Sequence, residues 1–218
     1  ALSAIDRNPG VPSARSLTFN LPAEPTVRET PTCTSLGAIG VTLNGVVLYN
    51  AVDARGNDAV AHEIVDEFGG HPAMSDYHYH FLPERLDSAP LQDGHSGLVG
   101  YIRDGFGLYG YDGPGGVELS NADLDECHGH DHDPIGYHYH ATVEYPYTVG
   151  CYRGTPETAF LAAGAAEREP GLEEVDLELG ARRAERRVSP TCPKRCFDTT
   201  PRRSVPRRGE TRAGHPLG

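Results

Sequence analysis

The chain has 218 residues with 26 Gly, 18 Pro, one Met and no Trp, a composition that suits a turn-rich protein with a modest core: one medium domain with tails, or two small domains. Charge is divided unevenly: residues 1–154 carry seven Arg, no Lys and 21 acids (7 − 21 = −14), and residues 155–218 carry twelve bases and ten acids (12 − 10 = +2). A Lys-free acidic body repels nucleic acid and anionic membrane and attracts cations, and no apolar run approaches the ~20 residues of a spanning helix, so neither nucleic acid binding nor membrane insertion is expected.

In chain order, the first strong signal is "IGVTLNGVVLY" (39–49), where Asn44-Gly45 between alternating apolar residues predicts a hairpin over 39–47 with both turn residues at positive φ. A polar stretch follows (51–67), with room for one short helix near 60–67. "DEFGGH" (66–71) then leads to Tyr77-His78-Tyr79-His80, which reads as a strand. Alternation places both histidines on one face and both tyrosines on the other.

The same sequence of signals then recurs. "VGYIRDGFGLY" (99–109) predicts a second hairpin over 99–108, the stretch 111–126 is again polar, "DECHGH" spans 125–130, and Tyr137-His138-Tyr139-His140 repeats the tetrapeptide. The three blocks lie 60, 59 and 60 residues from their first copies. The pattern reads as an internal duplication with units at about 36–83 and 96–143. The fold class expected is a β-rich α+β domain, single and compact over about 15–155, built from two hairpin-plus-strand units related by a pseudo-two-fold. Beyond Gly154, "TAFLAAGAAERE" suits a short helix, and the remainder of the 156–218 tail has too little apolar content for a core and reads as disordered.

His-x-His on a strand projects two imidazoles to one side, where both can reach an ion at ~2.0–2.1 Å. A single such pair is weak evidence, because satisfied structural histidines are common. Two pairs, each preceded by Gly-His (Gly70-His71, Gly129-His130), favour a metal site formed by His78, His80, His138 and His140. His71 and His130 would flank it, with the two pairs brought together at the pseudo-two-fold. "CHGHDHD" (127–133) adds His128 and His132, which rank below His130 because they have no counterpart in the first unit. The ion expected is a divalent transition metal, copper or zinc. The tyrosines read as core packing rather than phenolate ligands. The recurring Asp66, Glu67, Asp125 and Glu126 suit loop-holding or capping as well as they suit metal ligation or general-base work. His62-Glu63 lacks the second histidine of a zincin motif.

Of the five cysteines, Cys127 and Cys151 bracket the second tetrapeptide and are the best disulfide candidates, and pairing would imply an oxidising, exported setting. Cys192 and Cys196 read as stray thiols rather than a metal clip, and Cys33 has no assigned role. No secretory leader opens the chain, whose start at Ala1-Leu2-Ser3 is compatible with a trimmed terminus.

Over 31–154 the chain resembles the YHYH-domain proteins. The segments that carry the resemblance are "TSLGAIGVTLNGV", "GGHP…YHYH", "LVGYIRDGFGLYG", "NADLDECHG" and "EYPYTVGCYRG". The resemblance implies a secreted or periplasmic protein and places Cys127 and Cys151 in the shared pattern, but it implies no particular activity. It also implies a cysteine near the first Gly-Gly-His, where this chain has Phe68, so no first-unit disulfide is expected. The leading functional reading is an exported metal-binding protein. The alternatives are a metal-dependent hydrolase, with Glu67 or Glu126 as base to an activated water, and a metal-free structural module.

Overall fold

The computed structural model describes residues 10–87, 89–157 and 160–162. Its centre is an eight-stranded sheet, and the two predicted hairpins form its middle. Strand β3 (Ala38–Thr42) turns into β4 (Val47–Tyr49), and β7 (Leu98–Ile102) turns into β8 (Gly107–Tyr109). The turns differ from the two-residue type that the sequence predicts. The amide of Thr42 bonds Val46 O and that of Gly45 bonds Thr42 O, and Ile102, Phe106 and Gly105 repeat this pattern. Only the glycines take positive φ, +85° at Gly45 and +91° at Gly105, which is the longer hairpin loop with a left-handed Gly at its end. Asn44 and Asp104 are thereby free to turn their side chains toward the tetrapeptide tyrosines.

Outside this central pair lie the tetrapeptide strands. First come β5 (His71–Ala73) and β6 (Asp76–Tyr79), then β11 (Gly129–His132) and β12 (Gly136–His140). The strand order is β11-β12-β8-β7-β3-β4-β6-β5, with β6 parallel to β4 and β12 parallel to β8. Leu48 faces Tyr79 across the first parallel pair and Leu108 faces Tyr139 across the second.

The expected alternation holds. Tyr79 and Tyr139 are buried with Ile39, Leu48, Val99, Ile102, Leu108 and Tyr152 in one core cluster. The histidines occupy the other face of the same strands. Each buried tyrosine hydroxyl meets the turn residue of its own hairpin: Asn44 Nδ2 donates to Tyr79 OH at 3.2 Å, and Tyr139 OH donates to Asp104.

Two-stranded pairings frame the sheet. They are β1 (Leu17–Phe19) with β14 (Phe160–Ala162), β2 (Thr32–Cys33) with β13 (Cys151–Tyr152), and β9 (Asp112–Gly113) with β10 (Val117–Glu118). Within the stretch "TAFLAAGAAERE", where a short helix is expected, Phe160–Ala162 pair with β1 as a strand, and the rest of that stretch lies outside the described residues. Helix propensity is a weak prior that an available strand edge overrides at these three positions. The expected disorder of the tail concerns residues outside those described, as do Cys192 and Cys196. The Cys127–Cys151 disulfide forms as expected, tying the loop before β11 to β13, and Cys33 is disulfide-bonded as well. Among the described residues no helix is long and apolar enough to cross a membrane.

Helix α1 (Ala59–His62) is shorter than expected. Asp58 caps it by accepting from the Ala61 amide at 3.2 Å, and Glu63 already lies in extended conformation (φ −105°, ψ 152°). The β-branched Ile64 and Val65 that follow favour that exit. Stopping after one turn swings Glu63 inward.

Candidate metal centres

Two clusters of donor atoms stand on the histidine face. The first joins Glu63, His71, His78 and His80, and the second joins His95, His130, His138 and His140; within each, the donor atoms lie within 4.8 Å of one another. The single shared centre expected from the sequence does not form. Strands β4, β3, β7 and β8 lie between β6 and β12, and five strand spacings amount to about 24 Å measured along a sheet. The hairpins, not the tetrapeptides, meet at the middle, which sends the two His-x-His pairs to opposite edges.

The backbone dictates which ring nitrogen faces each centre. Nδ1 of His78 points to Asp76 O (3.0 Å) and that of His138 to Gly136 O (2.7 Å). Nδ1 of His80 points to Asn50 O (2.6 Å) and that of His140 to Gly110 O (2.7 Å), while His95 Nδ1 points to Ser96 O (2.6 Å). A carbonyl oxygen only accepts, so each Nδ1 carries the proton and each Nε2 presents a lone pair. These are the outer contacts that orient imidazole ligands at metal sites.

The Nε2 atoms then converge. In the first centre Nε2 of His78 is 3.0 Å from Nε2 of both His71 and His80, and Glu63 Oε2 is 2.9 Å from His71 and 3.2 Å from His80. In the second, His138 Nε2 is 3.0 Å from His95, 3.0 Å from His130 and 3.1 Å from His140, and His95 to His140 is 3.0 Å. His95, His138 and His140 thus form a closed triangle, one face of a tetrahedron rather than part of a square. A tetrahedron with such edges has its centre about 1.9 Å from each corner, close to a ~2.0–2.1 Å zinc–imidazole bond.

Residues 18–116 match the YHYH protein family. The YHYH match contains the first tetrapeptide and stops before the second, a shorter span than the resemblance over 31–154. No curated protein matches the chain, and no solved structure does. The YHYH match therefore brings no activity with it, and the chemistry rests on the centres themselves.

Burial keeps the YHYH histidines neutral. Desolvation, reinforced by neighbouring imidazoles, pushes His78 down to about 3, His138 to about 4 and His140 to about 2, and lowers His130 as well. Desolvation also lowers His80, against the opposing pull of Glu63. At neutral pH these rings are uncharged. His95 and His140 are fully buried and His138 nearly so, whereas His130 is only partly buried and marks the open side of its centre.

All six histidines expected at a metal site, His71, His78, His80, His130, His138 and His140, lie in the centres, three in each. His128 and His132 do not. The recurring aspartates hold loops: Asp66 accepts from the Phe68 and Gly70 amides and from Tyr77 OH, and Asp125 accepts from the Cys127 and Gly129 amides and from Tyr137 OH. The first tyrosine of each YHYH motif thus clamps the loop that delivers His71 or His130. An added Cβ on Gly70 would come within 2.6 Å of the Tyr77 ring, which explains the glycine there. Glu67 and Glu126 are exposed and belong to neither centre.

The fourth donors, Glu63 and His95, are absent from the sequence-based set. Glu63 follows α1, and His95 precedes β7. No motif spacing signals either of them. An isolated histidine in "DGHSG" before a predicted strand was the only clue to His95.

Proposed function

We propose that the protein holds two divalent transition-metal ions, one in the Glu63/His71/His78/His80 centre and one in the His95/His130/His138/His140 centre. The observation that carries this reading is the convergence of Nε2 lone pairs at 3.0 Å with their Nδ1 protons committed to carbonyls. Such atoms cannot hydrogen-bond one another, and only a cation makes their approach favourable. The triangular His95/His138/His140 face suits zinc, with copper as the second candidate.

Four donors of the chain in each centre, most of them buried, favour holding a metal over activating water at an open position. The hydrolase reading is further weakened because Glu67 and Glu126 stand outside both centres. Export is proposed on the strength of the Cys127–Cys151 disulfide, which is characteristic of oxidising compartments.

The duplication is proposed from the sheet registers. Gly40 pairs with Ile102, Val41 with Tyr101 and Thr42 with Gly100, a set that maps onto itself when the two units are exchanged at an offset of 60. A pseudo-two-fold between β3 and β7 accounts for it, within one domain over about 15–155.

Elemental analysis of tag-free protein loaded with Zn(II) and desalted tests the metal reading. Two equivalents per chain are expected, falling to one in His80→Ala and one in His140→Ala. No retained metal in the folded wild type would overturn it.

A further inference from the structure

His132 and Asp93 form a pair that the two centres do not use. His132 Nε2 lies 2.9 Å from Asp93 Oδ2 at the protein surface, with side-chain exposures of 23% and 44%. The same Asp93 accepts through Oδ1 from the backbone amide of His95 at 3.1 Å. The His132 ring stacks on that of His95, with centroids 5.4 Å apart and planes 6° apart, and lies 6.3 Å from the His130 ring. One exposed imidazole–carboxylate pair therefore borders the fully buried ligand His95 and the partly open ligand His130.

We propose that His132 and Asp93 form an entry site that captures a divalent transition cation at the surface and passes it to His130 and His95; this rests on the metal reading of the second centre. Three of that centre's four ligands, His95, His138 and His140, are buried to within 1% of completely, so an aquo ion cannot reach them directly. His130 is the open side, and His132 lies two residues along the same strand, its side chain on the same face.

A cation seated between Nε2 and Oδ2 exchanges two of its waters for one neutral imidazole nitrogen and one carboxylate oxygen, with the single imidazole proton held on Nδ1. Transfer to His130 then exchanges ligands one at a time, so the ion is never stripped of all its donors. Asp131 on β11 and Asp133 in the turn that follows it, both exposed, add to the local attraction for cations.

Among the described residues the first centre has no such device. Strand register places Ala73 opposite Asp76, where the second unit places His132 opposite Gly136. Its open side is Glu63 itself, at 16% exposure. The two centres should thus differ in how fast they exchange metal rather than in whether they hold it.

The test measures Zn(II) association and dissociation in the full chain carrying His80→Ala, so that only the second centre reports, using stopped flow against a chromophoric chelator. An entry site speeds capture and release by the same factor and leaves the equilibrium constant in place. His132→Ala should slow both rates roughly tenfold, the scale on which local charge and ligands alter encounter. Asp93→Asn, which keeps an acceptor for the His95 amide while losing the anionic ligand, should do the same in part. Unchanged rates, or faster dissociation with unaltered association, would overturn the proposal, the latter assigning the pair to positioning of His95. If the His80→Ala chain holds no Zn(II) at equilibrium, the metal reading of the second centre falls and the entry site falls with it. Circular dichroism of each variant confirms that the rates compare folded proteins.

Discussion

Tyr49 lies almost flat on His78, with ring centroids 3.9 Å apart and planes at 23°. Tyr109 meets His138 edge-on at 4.6 Å and 61°. Each ring closes the side of one centre histidine, and burial raises both phenol pKa values, so they remain neutral packing groups. A stacked aromatic pair contributes roughly 0.5–1.5 kcal/mol beyond area burial, which corresponds to about 2- to 10-fold in affinity. Tyr49→Ala should weaken Zn(II) at the first centre by that factor and leave the second unchanged. Competition titration in a His140→Ala background reads the first centre alone, and an unaltered affinity there would assign Tyr49 to the fold only.

Glu63 makes the two centres chemically different, because it adds an anion to three neutral imidazoles while the second centre is all imidazole. Removing the charge while keeping the shape should therefore act on one centre only. For Glu63→Gln, loss of affinity should exceed the ~10–100-fold seen when contacts behind a metal ligand are removed, since Glu63 would touch the ion itself. Elemental analysis after desalting should find one retained ion instead of two. Two retained ions would show that the three histidines suffice.

Acid should dismantle the metal-free protein by a route that can be assigned. The buried rings of His78, His138 and His140 titrate near 3, 4 and 2 in the folded chain, against ~6.5 when unfolded. Between these values the unfolded state binds more protons, so stability rises with pH, and it is lost as pH falls from about 6.5 toward about 3. Bound metal is displaced by the same protons. Urea midpoints of the apo protein should fall steadily from pH 7 to pH 4, and His140→Ala should flatten that slope. A midpoint independent of pH over this range would mean that the rings are not buried as described.

The sequence was informative where local rules act and silent where topology decides. Alternation along Tyr137–His140 follows from strand geometry alone, and so does the gathering of His-x-His with a preceding Gly-His, because β11 pairs with β12 through a tight connection and sets His130 opposite His138. The meeting of the two pairs was a global inference and it failed. A recurring sequence pattern does not say which strands meet at the middle of a sheet, and here β3 and β7 take that place. Glu63 and His95 were invisible for a related reason. Each reaches its centre from a connection whose path is set by one helix exit or one inter-unit loop, and neither position repeats.

Asp104 and Asn44 occupy matching turns and carry out matching tasks at different ionic cost. Asn44 donates to Tyr79 OH, whereas Asp104, fully buried, accepts from Tyr139 OH and from the Gly154 amide at 2.9 Å. Desolvation raises the Asp104 carboxyl above its ordinary value, and the bonds it accepts pull only partly the other way. The folded state therefore holds the proton to higher pH than the unfolded state does. Below the unfolded value of about 3.9 both states are protonated and no difference exists; as pH rises past it, the wild type bears a growing cost for the buried charge. Asn cannot ionise. Asp104→Asn loses the charge-assisted acceptor of Gly154, so its absolute effect combines two opposed contributions, but the pH dependence of that effect has one sign. Measured as the difference in urea midpoint from wild type, the variant should improve between pH 4 and pH 7. A variant that instead grows worse over that interval would show that the accepted hydrogen bonds outweigh burial and hold the Asp104 carboxyl below its ordinary value.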